Sequence, residues 1–140
     1  MLTKLNTLAK AGQVCGALIL AFVFCTAARA EDGKPDSLDV VKKNLADKKA
    51  ILLDVREQDE WNNGHLQAAN LFSLSKLKEG ADPKAAIPDA AKPGTIVYCH
   101  CFAGKRAATA AEMLRKKGYD ARPIKEGYET LLKSGFEKAK

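Results

Sequence analysis

The chain has 140 residues, a formal net charge of +6 and only 6% aromatic residues. So few rings argue against a base-stacking surface, and charges that alternate in sign without forming blocks give no footprint for a nucleic-acid backbone. Part of the basic excess also sits in a segment not expected to join the fold: residues 1–30 hold 3 of the 23 basic residues and no acid, which leaves 20 against 17, or +3, for the rest.

Those first 30 residues have the layout of a secretory signal peptide. Lys4 and Lys10 make the start basic, an apolar run follows from Val14 to Ala27, and Ala28-Arg29-Ala30 forms a small-residue exit before Glu31 and Asp32. The run is short of the roughly 20 residues a spanning helix needs. Val14 and Phe24, directly before Cys15 and Cys25, do not suit a lipoprotein site. The expectation is therefore export, to the periplasm or the medium, with no stable membrane anchor after cleavage. Cutting after Ala30 leaves 110 residues, 31–140, enough for one domain with a modest core.

In chain order, Ser37 to Lys49 reads as a first helix. Asp36 or Ser37 can cap it, and Leu38, Val41 and Leu45 share one face. Ile51 to Val55 is a short apolar run suited to a strand buried on both sides. Gln58 to Asn63 suggests one or two helical turns stopped by Gly64, and Ala69 to Leu74 a weaker strand. Lys78 to Gly94, rich in Ala, Pro, Lys and Asp, reads as a surface connection with one helical turn. Thr95 to His100 is the clearest strand. The clearest helix follows, Lys105 to Lys117, with Ala107, Ala110, Ala111 and Leu114 as its buried stripe and Gly118 as its terminator. Ala121 to Ile124 is a last strand, and Glu126 to Lys133 a last helix burying Tyr128, Leu131 and Leu132. This alternation predicts an α/β domain with a mainly parallel central sheet flanked by helices. Ligands of such sheets sit at the carboxyl ends of strands, where Cys101 falls.

Two cysteines remain beyond the signal segment, Cys99 and Cys101. An oxidising compartment favours disulfides, but residues two apart in an extended segment bridge only with strained geometry. Cys99 reads as a core residue of the strand; on the same side as Cys101, it could also resolve an intermediate formed there. His100 between them suggests a metal, yet neighbouring strand residues point to opposite faces and there is no second ligand cluster, so no metal is expected. His65 reads as a structural hydrogen-bonding residue and Trp61 as core packing.

The segment Cys101-Phe102-Ala103-Gly104-Lys105-Arg106 joins a strand to a helix. A tight turn there aims backbone N–H groups inward, and the helix N-terminus adds partial positive charge. Gly104 supplies the backbone freedom, while Lys105 and Arg106 add full charges. Such a setting favours a thiolate at Cys101, with a nest for an anion around it. No neighbouring general base is evident, which argues against triad-type hydrolysis.

The loop CFAGKR, a Cys and an Arg with four residues between them, one of them Gly, resembles the active-site loop of rhodaneses. Leu53-Asp54-Val55-Arg56-Glu57, then Glu60-Trp61, then Gly64-His65-Leu66 resembles that family's D-V-R…E-[FW]…G-H-I signature. The likeness covers about residues 36–136. It departs where the family continues with Pro-Gly-Ala, since Gln67, Ala68 and Ala69 stand there, and at the irregular Glu126-Gly127-Tyr128.

The resemblance implies a rhodanese-like domain and a sulfurtransferase. Cys101 would take a sulfane sulfur from thiosulfate or a similar small donor and pass it to a thiol or cyanide, with a thioredoxin-like protein among the conceivable acceptors. Phe102, Ala103, Gly104, Lys105 and Arg106 would bind the donor, Asp54 and Arg56 would brace the site, and no cofactor would be needed. The two loop charges lean toward thiosulfate over mercaptopyruvate. Two alternatives stand beside it. One is a non-catalytic persulfide carrier or partner-binding module. The other is a phosphatase or arsenate reductase, whose loop has five residues between Cys and Arg; here Cys101 to Arg106 has four and Cys99 to Arg106 has six.

Overall fold

A computed structural model of the protein describes residues 35–88 and 93–140. The expected export signal lies outside the described residues, as does part of the 78–94 connection. The described chain runs α1 (Leu38–Ala46), β1 (Ala50–Asp54), α2 (Gln58–Asn62), β2 (Ala69–Leu71), α3 (Leu74–Lys78), a 3-10 turn (Pro83–Ala85), β3 (Ile96–His100), α4 (Lys105–Lys116), β4 (Asp120–Pro123) and α5 (Tyr128–Lys133).

The four strands form one sheet in the order β2-β1-β3-β4, and every pairing is parallel. The register puts Asp54 opposite His100 and Leu53 opposite Cys99 across the central pair. Both central strands end at the same edge of the sheet, where Val55 N–H donates to the His100 carbonyl. The fold is thus the expected α/β domain.

The pleat divides the core in two. Val97, Cys99 and Cys101 pack with Leu53 and Val55 beneath α3 and α4. Tyr98 packs with Leu52 on the other side, against Val41 of α1 and Tyr128 and Leu131 of α5. The α4 stripe is Ala107, Ala110, Ala111 and Leu114, all fully buried; its small residues let the helix lie close on the sheet. In α5 Tyr128 and Leu131 are buried as expected, whereas Leu132 is only partly covered.

One local expectation is corrected. The strand ends at Leu71, and Leu74 opens a helix instead of closing a strand. Ser73 holds the extended N-cap conformation, and Leu74 and Leu77, one helical turn apart, both enter the core on the α4 side. A five-residue helix with two apolar positions is too short to show a period in sequence. At the start of α1 it is Ser37 whose side chain accepts the Val40 N–H, while Asp36 accepts from the Tyr98 hydroxyl and from Arg122.

The C-terminal residues belong to the same unit. Phe136 is buried beside Leu131, Gln67 N–H donates to the Glu137 carbonyl, and Ala139 N–H donates to that of His65. Leu66 and Lys138 form an antiparallel bridge. The tail therefore clips the turn at residues 64–67 onto the domain.

Candidate functional site

Cys101 is the first residue beyond β3, and its side chain is 1% exposed. The chain curls around it through Phe102, Ala103 and Gly104 into α4. Gly104 N–H donates to Cys101 Sγ at 3.1 Å. Gly104 is also the N-cap of α4, at φ 86°, with no side-chain cap, so the positive end of the helix opens beside the sulfur.

This loop is seated backbone on backbone. A Cβ on Gly104 would collide with the Lys125 carbonyl, and one on Gly127 with the Phe102 carbonyl. Tyr128 N–H donates to the same Phe102 carbonyl at 3.3 Å. Gly127 has ordinary negative φ, so it is closeness, not an unusual backbone angle, that requires glycine there. Sequence reading noticed Gly127 only as part of an irregular stretch. Its role depends on a contact made by the fold.

Asp54 and Arg56 sit where expected, at the end of β1, and both are buried. Arg56 donates from its backbone N–H and its guanidinium to the Asp54 carboxylate at 2.6–3.0 Å, and also to the Gly64 carbonyl at 2.9 Å. Its guanidinium lies over the Tyr128 ring, 4.3 Å from the centroid. The pair therefore joins β1, the Gly64 turn and α5 at the edge that carries Cys101. Pairing of this kind neutralises both charges and leaves neither for an incoming anion.

Arg106, expected to bind the donor, forks onto Glu60 of α2, with Nη1 and Nη2 at 2.5 and 2.7 Å from the two carboxylate oxygens. The hydrogen bonds from Arg106 hold the Glu60 carboxyl down at about 2, so the partner stays ionised. Glu60 also accepts the Glu57 N–H in a capping box, which fixes its orientation. Arg106 is thus a strut between α2 and α4. Lys105, exposed, has no ion-pair partner among the described residues and carries the loop's one unpaired full charge.

The remaining residues also take definite roles. Cys99 is fully buried, and burial pushes its thiol up to about 12, so it is a core thiol at neutral pH. Neither cysteine is in a disulfide. His100 faces the other side of the sheet and is fully buried; its Nε2 lies 3.6 Å from an Asp54 oxygen, beyond hydrogen-bond reach. Burial pushes its pKa down to about 4, which keeps the ring neutral. His65 is the hydrogen-bonding residue expected, its Nδ1 donating to the Trp61 carbonyl at 3.2 Å. Trp61 is not core: half-buried, it stacks on the His65 ring at 3.6 Å between centroids.

With this geometry in hand, comparison with known proteins gives the class. The model of the rhodanese-like domain matches residues 37–134. The chain belongs to the rhodanese-like domain family. It is 37% identical over 91 residues to the protein YqhL of Bacillus subtilis, covering 65% of this chain and 61% of that one. It is 30% identical over 86 residues to a mitochondrial protein of Schizosaccharomyces pombe provisionally named a thiosulfate sulfurtransferase, covering 56% and 59%. The chain thus spans about 60% of the length of these curated relatives. Among solved structures, the human single-domain sulfurtransferase TSTD1 superposes with a TM-score of 0.58 at 30% identity, covering 72% of this chain and 97% of that one.

Proposed function

We propose that this protein is a sulfurtransferase that moves a sulfane sulfur through a persulfide on Cys101. One observation carries the reading: the Cys101 sulfur is enclosed by its own loop, with a backbone N–H on it at 3.1 Å and an uncapped helix N-terminus beside it. Such a site stabilises a negatively charged sulfur before and after transfer.

The reaction takes two displacements. The Cys101 thiolate attacks the outer sulfur of thiosulfate or a donor of the same chemistry, the new S–S bond forms, and sulfite leaves with the electron pair of the broken one. An acceptor thiolate or cyanide then attacks the outer persulfide sulfur, and Cys101 departs as thiolate. Both steps begin and end with anions, so neither needs a proton shuttle. The Gly104 N–H holds the sulfur, Lys105 attracts the donor, and Asp54, Arg56 and the Arg106–Glu60 pair keep the loop in place.

Intact mass before and after thiosulfate tests this. Wild type should gain one sulfur that cyanide removes, and Cys101→Ser should gain none. An unmodified wild type with reduced Cys101 would refute the reading. We further propose that residues 1–30 direct export; N-terminal sequencing of protein from the envelope fraction should begin at Glu31.

A further inference from the structure

Glu57 brings a second carboxylate to the corner where α2 meets α4. Its backbone N–H donates at 3.1 Å to the same Glu60 oxygen that Arg106 Nη1 reaches at 2.5 Å, so Glu57 and the Arg106 guanidinium are near neighbours. Glu57 and Cys101 both act on the Arg106 charge through space. Arg106 is already matched by its fork onto Glu60. A Glu57 carboxylate turned toward it would set two acids against one guanidinium at the root of the loop. What holds Glu57 back is α3. Ser75 Oγ donates to Glu57 Oε2 at 2.7 Å, and the Glu60 N–H adds a second bond to that carboxylate. A carboxylate only accepts, so the Ser75 proton points to Glu57, and Ser73 Oγ, 3.0 Å from Ser75, supplies the next proton in line. Hydrogen bonds aligned in one direction reinforce each other. Ser73 is buried, and Leu74 and Leu77 on either side of Ser75 are sunk in the core, which gives the hydroxyl a fixed seat. Being neutral, that hydroxyl restrains the acid without adding a charge of its own.

We infer that Ser75 is a positioning residue for the Cys101 loop: it pins the Glu57 carboxylate to α3 and so keeps a second negative charge off Arg106. This deepens the sulfurtransferase reading, on which it rests, by naming a residue that sets how readily the loop receives an anion. Without the hydroxyl, Glu57 loses its link to α3. Arg56, beside it in the chain, is occupied by Asp54, which leaves Arg106 as the guanidinium to which the freed carboxylate turns. The loop then repels anions more strongly, while the reacting sulfur and the Gly104 N–H on it are unchanged.

The test reads the charge around Cys101 with two reagents of the same chemistry, iodoacetate, an anion, and iodoacetamide, which is neutral. In each case the Cys101 thiolate forms the new S–C bond and iodide leaves with the electron pair, and peptide mass follows the rate at Cys101. The ratio of the iodoacetate rate to the iodoacetamide rate should fall about threefold in Ser75→Ala, the scale of one unit charge brought nearer in largely aqueous surroundings. Ser75→Thr, which keeps the hydroxyl, should restore it. With Glu57→Gln there is no charge to restrain, so Ser75→Ala should then change nothing: the double variant should match Glu57→Gln alone. Damage that is merely structural would persist in the double variant. Ser75 is only half-buried, and alanine keeps its Cβ, so these variants should fold. A ratio unchanged in Ser75→Ala, or a fall that survives Glu57→Gln, would overturn the assignment while leaving the Cys101 persulfide intact. A Cys101 that neither thiosulfate nor either reagent modifies would instead overturn the sulfurtransferase reading, and this assignment with it.

Discussion

His100 shows how much one buried side chain can set the response to pH. It is fully enclosed, faces the Asp54 carboxylate and the Arg56 guanidinium, and is kept neutral with a pKa near 4 by burial. In the unfolded chain the same imidazole titrates near its ordinary 6.5. As pH falls from 6.5 toward 4, the unfolded state takes up a proton that the folded state refuses, and stability drops. Between pH 7 and pH 5 the loss from this residue should be about 2 kcal/mol. Urea unfolding at the two pH values should show it, and His100→Asn should flatten the difference. Equal midpoint shifts in both proteins would place the titration elsewhere. The sequence showed an imidazole between two cysteines, and alternation alone put it on the opposite face. That it would be wholly buried beside Asp54 depends on strand register, which no local pattern encodes.

At the scale of elements, the Arg106–Glu60 pair ties α2 to the start of α4 across 46 residues of chain. It is part-exposed, so its contribution to stability is modest, about 1 kcal/mol. Its sign with pH is definite: the Glu60 carboxyl is held near 2 against an ordinary 4.5. The contribution is present above pH 4.5 and is lost as pH falls from there through 2. Glu60→Gln should be less stable than wild type at pH 7, and the gap should close by pH 2. Thermal melts across that range would measure it, and a gap independent of pH would count against the pair. Most elements were legible in the sequence because each carries its own period: the alanine stripe of α4, the apolar runs of β1 and β3. Glu60 was legible only as part of a motif and Arg106 only as a charge of the loop, because a pairing between distant helices leaves no trace in either one. Helix α3 was missed for a different reason, having just Leu74 and Leu77 to mark it.

For the whole molecule, the tail is a structural member. Phe136 completes the core beside Leu131, and residues 137–139 hold the turn whose Gly64 carbonyl receives Arg56. Removing residues 136–140 should cost about 3 kcal/mol or more, the scale of deleting a buried aromatic side chain. It should also loosen the turn that steadies Arg56. A urea midpoint unchanged by this truncation would show the tail to be dispensable.

The alternation of β3 has a consequence for how the protein must be made. On one face the strand carries Cys99 and leads to Cys101; on the other it carries Tyr98 and His100. Slippage by a single residue during assembly would turn the sulfur away from its nest and present an imidazole in its place. A chain caught in that arrangement could be compact and have nearly the right secondary structure, yet be chemically inert. The hydroxyl of Tyr98, which donates to Asp36 and accepts from Asn44, is likewise lost to those partners when the strand slips, so the correct register carries two hydrogen bonds that the slipped one forfeits.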